Sequence, residues 1–284
     1  MSISNKLNLK LLKRTFMKTT YTFLITCILV LFLGNRATAQ NQLAVPLSNP
    51  DQPGKLQLGL VRGTVEISGY DGNEVIIRYG SDNKIEEKQE VTKEGLRRIS
   101  GNSIGFEAEE NNNVVEIGGI SPMHEVEFDI SVPRNFSIDL SLVHGDDLTI
   151  ENVNGELEIS HVNGDVELIN VGGSATVNTV NGDIIATFQS IAQNKPMAFS
   201  NVNGDIDVTL PANAQVSTKM KSDWGEVYTD FDMDIQRDST NPVNSSDSGT
   251  FRVSVNNWIY GTINGGGPEF LFKSMRGDIY IRKR

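Results

Sequence analysis

The chain has 284 residues, with 36 acidic against 25 basic side chains and a formal net charge of −11. A chain this acidic repels phosphate backbones and anionic membranes, which excludes nucleic-acid binding from the expected functions. Its length allows a proper hydrophobic core, and its single cysteine rules out a disulfide framework.

Residues 1–39 read as a secretory signal peptide. Lys6, Lys10, Lys13, Arg14 and Lys18 form a basic start, Phe23 to Leu33 an apolar stretch, and Ala37-Thr38-Ala39 a small-residue cleavage site. Met17 is an alternative start, because the segment is already complete from there. The apolar run is too short for a transmembrane helix. Leu24-Ile25-Thr26-Cys27 faintly resembles a lipoprotein box, but more apolar residues follow the cysteine. Cleavage removes Cys27, six positive charges and no acid, which takes the formal net charge to −17. The expected destination is the periplasm, the outer cell surface or the medium, with no transmembrane segment in the mature chain.

Gln40 to Gly54 is polar, contains prolines and lacks periodicity, so residues 40–54 are expected as a flexible lead-in. Residues 55–284 read as a single β-strand-repeat domain. Leu56 to Tyr79 reads as strands around Gly63 and the Asp71-Gly72 turn. Ser81 to Glu94 is charged and weakly patterned, which suggests an exposed excursion. Strands resume at Val114–Ile117 and Val126–Val132, and no segment reads as a helix. Gln236 to Gly249, rich in Ser, Asn and Asp, is expected as a long loop, and the closing stretch ends in strand at Gly277-Asp278-Ile279-Tyr280-Ile281.

A short phrase recurs in the middle of the chain: Val143-His144-Gly145-Asp146, Val153-Asn154-Gly155-Glu156, Val162-Asn163-Gly164-Asp165, Val180-Asn181-Gly182-Asp183 and Val202-Asn203-Gly204-Asp205. Gly145, Gly164, Gly182, Gly204 and Gly225 are spaced by 18 to 22 residues, which predicts a coil of that length with two similar sides. Leu157 and Ile159 alternate, then Val162 falls three residues later, as a short strand, a bend and a second short strand require. The expected fold is all-β, a β-solenoid of short strands with Asn-Gly corners. An antiparallel meander, as a sandwich or barrel, is the alternative, because Asn-Gly is also a strong hairpin signal. The N-terminal strands would cap one end of the stack. Phe270, Phe272, Tyr280 and Arg282 to Arg284 would cap the other.

Three stretches carry a resemblance to a known family: Phe128 to Pro133 leading into Leu142 to Asp146, the run of Val-Asn-Gly-Asp phrases, and Gly261 to Pro268 followed by Arg276 to Ile279. Together they resemble the bacterial putative-adhesin family of β-strand-repeat proteins, a domain of unknown function of the cell envelope, common in Bacteroidetes. The resemblance implies a right-handed β-helix-like domain with a surface or periplasmic role.

Asp146, Asp165, Asp183, Asp205 and Glu226 would line one corner of the stack. They are expected to be solvated acceptors of backbone N–H groups. The alternative is a ladder binding Ca²⁺ through carboxylate and Asn oxygens, although the paired-glycine calcium repeat is absent, and Asn154, Asn163, Asn181 and Asn203 are expected to serve the turns as well. His124, His144 and His161 are expected as turn histidines rather than zinc ligands. Trp224, Tyr228, Phe231, Trp258 and Tyr260 could stack on sugars, with cap packing as the simpler role. The acids recur as decoration of the repeat rather than as one exceptional pair, so no catalytic, cofactor-binding or metal residue is assigned. The function expected is that of a non-catalytic, adhesin-like module binding a surface glycan or an envelope or matrix protein. The alternatives are a periplasmic scaffold for another envelope protein and, third, a carbohydrate-active enzyme on a β-helix.

Overall fold

The computed structural model describes residues 41–80, 105–123, 125–237, 243–247, 250–254 and 258–284. The expected signal peptide, the excursion at 81–94 and His124 lie outside the described residues.

Six strands come first: β1 (Gln42–Pro46), β2 (Lys55–Tyr70), β3 (Glu74–Gly80), β4 (Glu107–Asn111), β5 (Val114–Gly118) and β6 (Val126–Pro133). Gly63 divides β2 between two sheets, its first half pairing parallel with β5 and its second with β6. Antiparallel strands close both sheets at this end, β4 on β5 in one, β3 and then β1 in the other. The described part of the expected lead-in, residues 41–54, is therefore not a free tether. Gln42 to Pro46 pairs with Arg78 to Glu74, and Val45 and Leu47 enter the core. Only two side chains there face inward, so the stretch has no periodicity to read, yet its backbone is held by the sheet.

The repeat follows as coils of two strands, one in each sheet: β7 (Ser137–His144) with β8 (Leu148–Glu151), β9 (Glu156–Asn163) with β10 (Val166–Val171), β11 (Ser174–Asn181) with β12 (Ile184–Phe188), β13 (Met197–Asn203) with β14 (Ile206–Leu210), and β15 (Val216–Ser222) with β16 (Val227–Thr229). From β7 to β13, each strand pairs parallel with its counterpart one coil on. The second strands do the same from β8 to β14. This is a β-solenoid, not a meander or a closed barrel. The corner glycines show why: Gly164, Gly182 and Gly204 have φ of +127°, +148° and +126°, and the asparagines before them are not in positive φ. A two-residue hairpin turn would need the Asn itself in positive φ, alone in type II′ and together with the Gly in type I′.

Beyond β16 come β17 (Met233–Arg237), β18 (Val243–Asp247), β19 (Thr250–Ser254), β20 (Ile259–Ile263), β21 (Glu269–Arg276) and β22 (Ile279–Lys283). The expected long loop at 236–249 instead holds a strand that pairs antiparallel with β19. The expected cap at 270–284 is also corrected. β21 lies between β13 and β15, and β22 between β14 and β16, so residues 269–283 form an interior coil. Phe270, Phe272, Ile279 and Ile281 are completely buried there. The phrase Arg276-Gly277-Asp278 makes this possible, because it supplies the same corner as the other coils. The strands that close this end of the first sheet are β20 on β15 and β17 on β20, both antiparallel.

The core fills the space between the two sheets with Leu, Ile, Val and Phe in alternation. Each such side chain, fully buried, contributes about 1.5–3 kcal/mol relative to exposure. Phe188, Phe199 and Phe272 run through three successive coils. The first pair meets edge to face at 6.1 Å between centroids and the second is stacked at 5.4 Å.

Candidate functional site

The repeated corner is built from three columns. The first is glycine: a Cβ on Gly182 would sit 2.0 Å from the carbonyl oxygen of Gly164, and one on Gly204 would sit 2.4 Å from that of Gly182. No side chain fits between coils there, so glycine recurs.

The second column is acidic. The backbone N–H of Asp183 donates to Oδ1 of Asp165 at 2.7 Å, and that of Asp205 to Asp183 at 2.7 Å. The chain of bonds continues through Asp278 to Glu226, at 2.7 and 2.9 Å. At its start Asp165 donates to Asp147, not to Asp146, whose carboxylate accepts from Thr64. Asp147 and Asp278 thus belong to the ladder that the spacing assigned to Asp146, Asp165, Asp183, Asp205 and Glu226. A carboxylate accepting a backbone N–H makes a charge-assisted bond, and these bonds tie one coil to the next. Among the described residues no three His, Cys, Asp or Glu side chains are grouped to hold a metal ion.

The third column is amide. Asn181 donates to Asn163 at 2.9 Å and Asn203 to Asn181 at 2.8 Å. Asn163 donates to Nδ1 of His144 and to the Val143 carbonyl. Asn154 stands at the opposite corner, accepting from Gln189. A second amide pair there, Asn170 on Asn152, has φ of +53° and +57°, a left-handed conformation that Asn tolerates.

One inward position departs from the expected pattern. Val143, Val162, Val180 and Val202 stay outside the core, and the residues that turn inward before them are Leu142, His161, Thr179 and Asn201. The buried polar groups bond the corner carbonyls: Thr179 to Gly182, Asn201 to Gly204, and His161 Nε2 to the Asn163 oxygen at 2.6 Å. A carbonyl only accepts, so Nε2 carries the proton, and Nδ1 is buried without a protein partner. Burial holds the His161 imidazole below its ordinary pKa, against the opposing charges of Asp147 and Asp165. His144 and His161 are on adjacent coils, but one faces out and the other in.

The aromatic candidates gather in the last coils. Trp224 takes the corner place that His144, Asn163, Asn181, Asn203 and Arg276 hold on other coils and is 77% exposed, with the Arg276 guanidinium 5.8 Å from its ring. Tyr228 stacks on Tyr280 at 5.2 Å and 12°. Arg282 lies 5.0 Å from the Tyr280 ring and binds Asp207 through two parallel hydrogen bonds of 2.7 and 2.8 Å. The hydrogen bond from the Tyr280 hydroxyl to Asp278 pushes that hydroxyl above its ordinary pKa. On the other sheet, Lys219 and Lys221 lie 4.7 and 5.9 Å from the Trp258 ring, and Tyr260 is in register with Lys219. Phe231 is buried and packs in the core.

No motif singles out the basic neighbours of these rings. A signal exists in the charge distribution: between Arg134 and Lys219 the chain has one basic residue, Lys195, and nine follow from Lys219 onward. The surface also carries two shallow grooves. One of about 520 Å³ is lined by Gln189, Gln193, Asn194, Asn213 and Gln215 with backbone, and one of about 380 Å³ includes the Asp71–Arg134 ion pair.

Residues 143–281 match the model of the Toastrack DUF4097 family. Among solved structures, the chain is similar to a putative cell adhesion protein from Clostridium sporogenes, at 15% identity and a TM-score of 0.42 over 86% of this chain and all of that one. No curated protein matches the chain.

Proposed function

We propose, from the premise that residues 143–281 are a Toastrack DUF4097 domain, a domain of unknown function, that the protein is a non-catalytic binding module of the cell envelope or surface, engaging a glycan or protein in the manner of an adhesin. One observation carries this reading. The acids and amides of the repeat are engaged in holding coil to coil, whereas Trp224, Tyr228 and Tyr260 at the far coils are exposed and have no aromatic counterpart on the earlier coils. Trp224 stands where the other coils carry a polar His, Asn or Arg, and its exposure gives the core nothing in return. Exposed Trp and Tyr with an apolar face and a polar tip suit sugar rings and protein surfaces.

The scaffold alternative is favoured by a different feature. Val143, Val180, Val202 and Met275 are each about two-fifths exposed and occupy matching corner positions, an apolar stripe that fits another envelope protein.

The test is a panel of glycans and matrix proteins titrated against the chain, read by tryptophan fluorescence. The protein has two tryptophans, and both sit among the far coils. A saturable signal that Trp224→Ala removes is the expected result. Silence across the panel, or turnover of any glycan in it, would overturn the reading.

A further inference from the structure

We infer that the outer face of the two far coils binds an anionic polysaccharide, one whose sugar rings carry carboxylate or sulfate groups. This deepens the binding-module reading and rests on it.

The alternation that buries Val216, Thr218 and Met220 on β15, and Phe270, Phe272 and Ser274 on β21, turns Lys219, Lys221 and Lys273 outward on one sheet. Lys221 is the direct register partner of Lys273. Neighbouring strands lie about 4.8 Å apart, and like charges directly opposite destabilise a sheet. Asp223 neutralises Lys221 at 2.8 Å. Lys273 and Arg276 have no carboxylate partner among the described residues.

The same face is different on every earlier coil. In register with Lys273 stand Ser200, then Asn178, Ser160 and Ser141. In register with Lys219 stand Leu271, Ala198, Thr176, Glu158 and Asp139. In these two rows cations thus replace neutral and acidic residues where the coils also carry the protein's two tryptophans. Each tryptophan has a cation beside its ring, Lys219 and Lys221 at Trp258, Arg276 at Trp224. A sugar presents a C–H face that stacks on an indole, and an acid group on the same sugar then falls within reach of the neighbouring ammonium or guanidinium. Neutral sugars need the rings but not the charges. Phosphate polymers need many cations along a track, whereas the remaining surface is acidic. That acidic field would repel a polyanion over the middle coils, where Lys195 is the one basic residue between Arg134 and Lys219, and so favours the far coils.

The test titrates the chain, through tryptophan fluorescence, with polygalacturonate, dextran sulfate, neutral dextran and duplex DNA at low and physiological salt. Binding is expected with polygalacturonate, dextran sulfate or both, and which of the two binds identifies the acid group. It should weaken at least about tenfold at the higher salt, as contacts to a polyanion do. Lys273→Glu should weaken it by at least about tenfold while thermal unfolding confirms the fold, because the substitution removes a like-charge pair. Arg276→Gln gives a second reading, and Lys195→Gln, on an earlier coil, should leave affinity unchanged. Binding of neutral dextran alone would overturn this inference and leave the module reading standing. Equal binding of DNA would also overturn it, since the patch would then be a general polyanion surface. No binding to any sugar polymer, together with silence across the wider panel, would overturn both.

Discussion

His161 holds a place that Leu142 and Thr179 fill on the adjoining coils, so the fold itself does not demand an imidazole there. Buried and donating from Nε2, it binds a proton less readily than a free imidazole, because protonation would desolvate a charge and leave a second N–H, on buried Nδ1, without an acceptor. The folded-state pKa is depressed, so the unfolded chain binds a proton more readily. The stabilisation is fully present above the unfolded value of about 6.5 and is lost as pH falls towards the folded one, at up to about 1.4 kcal/mol per pH unit. His161→Thr, which copies the Thr179 position of the next coil, should flatten that part of the profile when thermal unfolding is compared between pH 7.5 and 5.5. Parallel profiles for the two proteins would assign the slope elsewhere. The imidazole is visible in the sequence as a turn histidine. Its inward direction is not, because the alternation of Leu157 and Ile159 reads as slipping at Val162, whereas it continues to His161 and slips at the corner after it.

A coil is held to the next by parallel strand pairing and by the acid ladder, and the ladder's share can be measured. Asp183 accepts from Asp205 through its side chain while its own N–H donates to Asp165. Asp183→Ala strands a donor in a half-buried corner and should cost about 1–3 kcal/mol in chemical denaturation. Asp183→Asn keeps an acceptor oxygen and should cost distinctly less. Equal losses would mean that charge, not hydrogen bonding, is what the position supplies. With one oxygen of each ladder carboxylate already engaged in this way, millimolar Ca²⁺ is expected to leave the unfolding temperature unchanged. The coil length is legible in the sequence because Gly145, Gly164, Gly182 and Gly204 are fixed by close approach of backbone to backbone, a requirement that leaves a glycine in each coil. What strand alternation cannot convey is which distant segment pairs with which. Residues 269–283 carry the same corner phrase as the others but read as a cap, because their place in the stack differs from their place in the chain.

The molecule between Asn41 and Arg284 therefore depends on one inserted coil. β21 and β22 separate the coil at 197–210 from the coil at 216–229, and their four fully buried apolar side chains link the two. Deleting residues 269–284 should expose four strand edges, those of β13 and β15 in one sheet and of β14 and β16 in the other, and an open core, seen as dye binding to apolar surface and aggregation in size-exclusion chromatography. A monomer with undiminished unfolding temperature would mean that β15 can close directly on β13. Lys273 and Arg276 would leave with the same segment, so loss of fold and loss of the proposed ligand site coincide there. The inserted coil also sets a timetable. Residues 216–229 emerge before residues 269–283 but cannot take their final neighbours until those arrive. The stack is completed from within, like an arch receiving its keystone, and a chain stalled between the two events presents two unpaired faces to any protease it meets.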